Sequence, residues 1–241
     1  MTEHDRKNIA LLIDADNVNP DGIDPVLTVM AELGQVNIRR AYGNFAKDAL
    51  RRWDTLTNRF GIRPQQQFDV SKGKNATDMA MTIDAIDLLY QGKVDGFGIM
   101  SSDSDFTPLV TRLRQDGLVV YGFGKATTPQ SFRSACTRFI DVDALLSAEK
   151  VEEAAPAQPA DKTPAVEADV ISLLGNAWKA ARRDENGFAP MSEVGNIAGN
   201  RSSFDVRNYG FKRLSDLFAS LDQFKVERRG PNQQPWVKRV R

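Results

Sequence analysis

Two apolar runs in this chain of 241 residues end on carboxylates: Ile9–Ile13 leads into Asp14-Ala15-Asp16-Asn17, and Phe97–Met100 leads into Ser101-Ser102-Asp103-Ser104-Asp105. A third acidic segment, Lys72-Gly73-Lys74-Asn75-Ala76-Thr77-Asp78, opens an amphipathic stretch that also carries Asp84. Ionised carboxylates brought together raise one another's pKa, so a site that gathers several of them calls for a cation to offset the repulsion. Hard oxygen donors suit magnesium or manganese, and the chemistry within their reach is metal-assisted hydrolysis. Other hydrolytic machinery is scarce. The single histidine, His4, lies in a polar leader, and Cys136 is the single cysteine. That composition argues against a Ser-His-Asp triad, a histidine general base, and any histidine- or cysteine-rich metal cluster.

Each acid taken alone has a structural reading. Asp78 suits the positive end of a helix dipole, Asp105 the N-cap of a helix that Pro108 helps begin, and Asp16 an Asx turn. Three separate segments meeting at one edge favour a site, and Asp14 and Asp103, which follow buried strands, fit the structural readings least. A phosphatase of the haloacid-dehalogenase type is a competing reading, because Ile13-Asp14-Ala15-Asp16-Asn17-Val18 fits its D-x-D-x-[TV] pattern. Its later aspartates are spaced more widely than Asp103-Ser104-Asp105, and its cap insert has no counterpart here.

The acids need elements to hold them. Apolar, β-rich runs at Ile9–Ile13, Val36–Tyr42, Ile62–Phe68, Phe97–Met100 and Leu118–Gly122 alternate with helical patterns near 23–33, 48–60, 77–91, 106–116 and 129–137. This alternation predicts an α/β fold, an open and mainly parallel sheet with helices on both faces, whose ligands bind at the carboxyl ends of the strands. On the helix from Thr77, the spacing of Met79, Ile83, Ile86 and Tyr90 predicts the buried stripe. Asp78 then flanks the stripe in the first turn, Asp84 lies on the far side as an outer-sphere or solvated group, and Asp87 is exposed.

Residues 148–165 have no aromatic residue and no amphipathic period, and read as a flexible linker. They separate a domain over 1–147 from one over 166–241. The hydrophobic fraction of 41% is adequate for packed cores. Formal net charge is zero, but 1–147 carries 17 Lys+Arg against 19 Asp+Glu, and 166–241 carries 13 against 9. An acidic portion followed by a basic one fits a metal-binding enzyme with an attached binding module. The absence of a run of about 18 apolar residues, and the polar start from Met1 to Asn8, predict a cytoplasmic protein with no membrane partner. In the second domain, helical patterns at Val170–Ala181, Ser192–Ala198 and from Tyr209 precede a hairpin of Phe224–Glu227 and Pro235–Lys238 around Gly230-Pro231-Asn232, a small α+β winged helix.

With the residues in view, Leu12–Asn17, Lys72–Asp78 with Asp84, Ser101–Phe106, Gly122–Lys125 and Thr128–Arg133 resemble the motifs of NYN domains, PIN-like nucleases related to the 5′-nuclease fold. The resemblance implies a metal-dependent ribonuclease with Asp14, Asp78, Asp103 and Asp105 as the acidic cluster and Asn17 as a polar site residue. Asp16 occupies a variable position and, with Asp84 and Ser102, is an outer-sphere candidate. Gly210, Phe211, Lys212 and Leu214 resemble the third helix of a LOTUS (OST-HTH) winged helix, a module associated with RNA binding and helicase docking. The expected activity is phosphodiester hydrolysis using magnesium or manganese, endonucleolytic, leaving a 5′ phosphate. A route through the 2′-hydroxyl normally needs acid–base side chains. Lys72, Lys74, Arg39 and Arg40 are candidate phosphate contacts. Lys212, Arg213, Arg228, Arg229, Lys238 and Arg239, interrupted by Trp236, are candidates for a basic RNA-binding face. Gly122-x-Gly124 lacks a third glycine and reads as a turn. The rival from another class is a non-catalytic RNA-binding adaptor on the same fold.

Overall fold

In the computed structural model, which describes residues 7–68, 76–153, 168–202, 204–230 and 233–240, the apolar runs of the N-terminal half form one parallel sheet. The strands are β1 (Asn8–Asp14), β2 (Gln35–Gly43), β3 (Arg63–Gln66), β4 (Gly96–Met100), β5 (Val119–Gly124) and β6 (Arg138–Asp141), in the order β3-β2-β1-β4-β5-β6. Between them run α1 (Ile23–Leu33), α2 (Arg51–Phe60), α3 (Ala76–Gln91), α4 (Thr107–Gln115) and α5 (Gln130–Ala135), and α6 (Val142–Glu153) follows β6.

The strand order reverses direction between β1 and β4, and right-handed crossovers then carry the helices to opposite faces. Ile9, Leu11 and Ile13 of β1 pack with Val26 and Met30 of α1, Trp53 of α2 and Val142 of α6. Ala10 and Leu12 pack on the other face with Met81 and Leu88 of α3, Val110 of α4 and Phe132 of α5. A strand covered on both faces reads as a continuous apolar run, which is why β1 and β4 stand out in the sequence. The point of reversal leaves a crevice beyond the strand ends, flanked by Asp14 and Ser101.

Several features differ from expectation. Strand β6 and helix α6 were not anticipated, because Arg138-Phe139-Ile140-Asp141 holds only two apolar residues between charges. The α6 backbone stays helical to Glu153, inside the stretch read as linker. On α3 the buried residues are Met81, Ala85 and Leu88, whereas Met79, Ile83 and Tyr90 are 61%, 55% and 73% exposed. The helix therefore presents a face rotated from the expected stripe, of which Ile86 still packs against the core. Gly122 and Gly124 lie within β5 rather than in a turn. A Cβ on Gly122 would sit 2.5 Å from Cys136 Sγ, and one on Gly124 would sit 2.7 Å from both Ser101 O and Thr128 Oγ1. Cys136 is buried there, and burial pushes its thiol up to about 12.

Contacts divide the chain into units spanning Met1–Glu149 and Lys150–Arg241. The second contains α7 (Ala168–Ala180), β7 (Ala189–Pro190), α8 (Met191–Arg201), α9 (Leu214–Ala219), β8 (Phe224–Arg229) and β9 (Gln234–Arg239), with antiparallel strands in the order β7-β9-β8. Leu174, Ala177, Val194, Ala198, Leu217, Phe218 and Val237 form its core. Helix α9 begins at Leu214, later than the Tyr209 start expected, because Val206–Tyr209 close a separate 3-10 turn. Pro231 and Asn232 of the anticipated hairpin turn lie outside the described residues. Among the described residues no helix is long and apolar enough to cross a membrane.

Candidate active site

Asp14 ends β1 and is fully buried. Its Oδ2 accepts hydrogen bonds from Asn17 Nδ2 at 3.0 Å and Ser101 Oγ at 2.8 Å. Its Oδ1 is buried with no hydrogen-bond partner. Ser101, also buried, joins the two strand ends: besides donating to Asp14, its Oγ accepts from the Asp103 amide at 3.0 Å. The Asp103 carboxylate caps the 3-10 turn Ser104–Phe106 by accepting from the Asp105 amide at 2.8 Å. The cap is thus Asp103 rather than Asp105, and Asp105 is exposed. Ser102 Oγ accepts from the Lys125 amide at 3.0 Å and ties the end of β4 to that of β5.

The third segment arrives on α3. Thr77 Oγ1 donates to Asp16 Oδ2 at 3.0 Å, while Asp16 Oδ1 faces Lys47 Nζ at 3.5 Å. Asp16 therefore holds the first turn of α3, beside Asp78. Burial raises Asp78 to about 6, and the charges of Asp14, Asp103, Asp105 and Asp16 add to the rise. Asp14 is raised as well, first by burial and then by Asp16 and Asp103, against the lowering effect of its bonds from Asn17 and Ser101. The acids of all three segments thus lie within electrostatic reach of one another.

Other expected site residues are committed elsewhere. Arg40 Nη1 pairs with Asp84 Oδ2 at 2.7 Å, and Asp84 Oδ2 also accepts from the hydroxyl of Tyr42. Arg39 donates to Val36 O at 3.1 Å and Phe60 O at 2.7 Å, tying β2 to the end of α2. Both guanidinia are thus engaged by acceptors within the protein. Lys72 and Lys74 lie outside the described residues. In the second unit Arg229 is held by Asp184 and Glu227 and lies over the rings of Phe188 and Trp236, and Lys238 lies over Phe188. These side chains build the hairpin's packing. Arg228, Lys212 and Arg213 are exposed. Sequence reasoning passed over Ser101, Thr77, Lys47 and Tyr42 at the site. For Ser101 its position directly after a buried strand was an available signal.

The donor set fits a hard divalent cation. It is made of hard oxygens, it includes a buried carboxylate oxygen without a partner, and its members disfavour one another's charge. Among the described residues no three carboxylate, thiol or imidazole groups stand close enough together to hold a metal ion between them. That openness is compatible with magnesium, which keeps several waters and takes only one or two carboxylates.

The NYN domain family matches residues 8–146, and the OST-HTH/LOTUS domain family matches 161–235. An uncharacterized protein of Methanocaldococcus jannaschii is 31% identical over 122 residues, which are 48% of this chain and 47% of that protein, so the chain matches about half the length of that curated relative. A crystal structure of a protein of unknown function from Vibrio parahaemolyticus, at 22% identity and a TM-score of 0.49, covers 59% of this chain and 97% of its own. The family match displaces the phosphatase alternative. The chain belongs to the NYN domain family of PIN-like, ribonuclease-related proteins, and carries an OST-HTH/LOTUS domain of the RNA-binding type behind it.

Proposed function

We propose that the protein is an endoribonuclease dependent on magnesium or manganese, cutting RNA to leave 5′ phosphates, with its C-terminal domain engaging RNA or a partner such as a helicase. The observation that carries this reading is the buried, unpartnered Oδ1 of Asp14 among carboxylates that raise one another's pKa. A carboxylate oxygen kept from water without a partner is costly unless a ligand engages it.

Asp14 with one of Asp78 and Asp103 would hold the ion directly, and the remaining acids, Asp105 among them, would reach it through its waters. A bound ion supplies a water of lowered pKa and stabilises charge on the phosphate. Asn17 and Ser101 fix the Asp14 carboxylate by holding Oδ2, which leaves Oδ1 for the ligand. Ser101 also sets the start of the Asp103 turn, so one hydroxyl ties the acids of β1 and β4 together. Asp78, at about 6, sheds its proton near neutrality and offers a full negative charge when a cation arrives.

The test is cleavage of labelled single-stranded and structured RNAs, with single-stranded DNA alongside, in manganese and in EDTA. Cleavage of RNA that is stimulated by manganese, abolished by EDTA and lost in folded Asp103→Asn is expected. Normal turnover by that variant overturns the site assignment. Absence of cleavage by the wild-type protein, with RNA binding retained, makes the protein a non-catalytic adaptor.

A further inference from the structure

Asp84 looks like one more acid of the cluster, yet its contacts run the other way. The face of α3 that meets the sheet is centred on Met81, Ala85 and Leu88. At about 100° per residue, Asp78 lies about 60° to one side of Met81 and Asp84 about 60° to the other. Asp78 is raised by the acids at the ends of β1 and β4, whereas Asp84 reaches β2. There it takes the hydroxyl of Tyr42 and the guanidinium of Arg40 on one oxygen, Oδ2. Tyr42 is 1% exposed, and side-chain exposures of 21% and 27% keep Arg40 and Asp84 largely covered. Tyr42 is also the residue that pairs with Asp14 in the register of β1 and β2. A continuous chain of bonds thus runs from α3 through Asp84 and Tyr42 to the strand position beside the buried Asp14.

The mechanical need for such a chain is plain. Asp78 is pressed toward other carboxylates, and their repulsion pushes the first turns of α3 away from the strand ends. Two ties oppose that push, Thr77 to Asp16 in the first turn and Asp84 to Tyr42 and Arg40 further along. We propose that Arg40, Tyr42 and Asp84 form a strut that holds α3 against the repulsion of the acidic cluster, making Asp84 a positioning residue for Asp78 rather than a metal ligand, and Arg40 part of the strut rather than an RNA contact. The proposal rests on the nuclease reading for its consequence, but the strut itself is a property of the fold.

The experiment uses the full chain as Tyr42→Phe, Asp84→Asn and Asp84→Ala. Tyr42→Phe keeps the ring in its packing and removes only the hydroxyl. Asp84→Asn keeps an acceptor for Tyr42 while losing the charge. Three readouts are needed: amide hydrogen exchange across 76–84, manganese affinity by calorimetry, and kcat and KM on RNA. The strut predicts faster exchange in the first turns of α3 for Tyr42→Phe and Asp84→Ala. Manganese affinity and kcat should fall about 10-fold, the scale seen when outer-sphere partners of metal ligands are removed, with KM within about 2-fold of wild type. Asp84→Asn should retain most of both. Equal losses in Asp84→Asn and Asp84→Ala, with Tyr42→Phe unchanged, would identify Asp84 as a ligand and overturn the strut. A KM effect without a kcat effect would return Arg40 and Asp84 to the RNA surface and overturn it too. Unchanged exchange across α3 refutes the strut whatever the activity. A wild-type protein that neither binds manganese nor cuts RNA, but whose variants loosen α3, sinks the nuclease reading and leaves the strut standing.

Discussion

Replacing Asp78 with Asn isolates the electrostatic cost of assembling the site. In the folded protein Asp78 is raised from its ordinary 3.8 to about 6. The folded state therefore holds this proton more tightly than the unfolded chain does. Between these two values the folded form carries more bound protons, so stability falls as pH rises. The penalty is complete above about pH 6 and is relieved as pH falls through that value toward 3.8. At about 1.4 kcal/mol per pH unit the ceiling is about 3 kcal/mol. Solvent screening of this partly covered side chain reduces it to about 1 kcal/mol. In a unit of this size that corresponds to about 3 °C in Tm. The assay is calorimetry of the full chain in EDTA from about pH 4 to about pH 7, comparing wild type with Asp78→Asn at the transition of the N-terminal unit. The wild-type Tm should drop below that of the variant by this amount as pH rises across the range. Manganese at the upper pH should then raise wild type more than the variant. Parallel pH profiles for the two proteins would refute the argument that Asp78 is held in a field of like charges.

Gly124→Ala should destabilise the N-terminal unit by about 1–3 kcal/mol in denaturant melts, because the new methyl meets the backbone oxygen of Ser101 and a buried hydroxyl at 2.7 Å. A loss below a few tenths would mean that the ends of β4 and β5 separate freely. Removing 166–241 should weaken RNA binding in a filter assay while leaving the rate on a saturating short substrate within about 3-fold, since the acidic site and its core lie wholly in the first unit. Unchanged affinity after the deletion would direct attention to protein partners of the second unit.

The parallel sheet was legible because β1 and β4 are covered on both sides and so read as unbroken apolar runs. Asp14 was legible for the same reason, as the first polar group after such a run. The phase of α3 was not. Met79, Ile83, Ile86 and Tyr90 recur at helical spacing, but so do Met81, Ala85 and Leu88, and spacing alone does not decide which set faces the sheet. That rotation carried Asp84 from an expected solvent face to a covered one. Its pairing with Arg40 and Tyr42 joins residues more than 40 positions apart, which no local spacing records. Strand β6 escaped notice because an edge strand with charged ends needs few apolar residues, and α6 because its later turns enter an Ala- and Glu-rich stretch. The basic residues carry contacts that local sequence does not record: Arg39, Arg40 and Arg229, read as candidate phosphate and RNA contacts, each also engage acceptors within the protein.

The burial of Cys136 has a practical result. A thiol raised to about 12 and packed against Gly122 and Phe132 offers almost no thiolate to alkylating or disulfide reagents while the sheet is intact. Because this is the chain's only cysteine, the rate of its labelling becomes a built-in clock for opening of the β5 and β6 edge. It can time that event in native buffer without any residue being introduced into the chain.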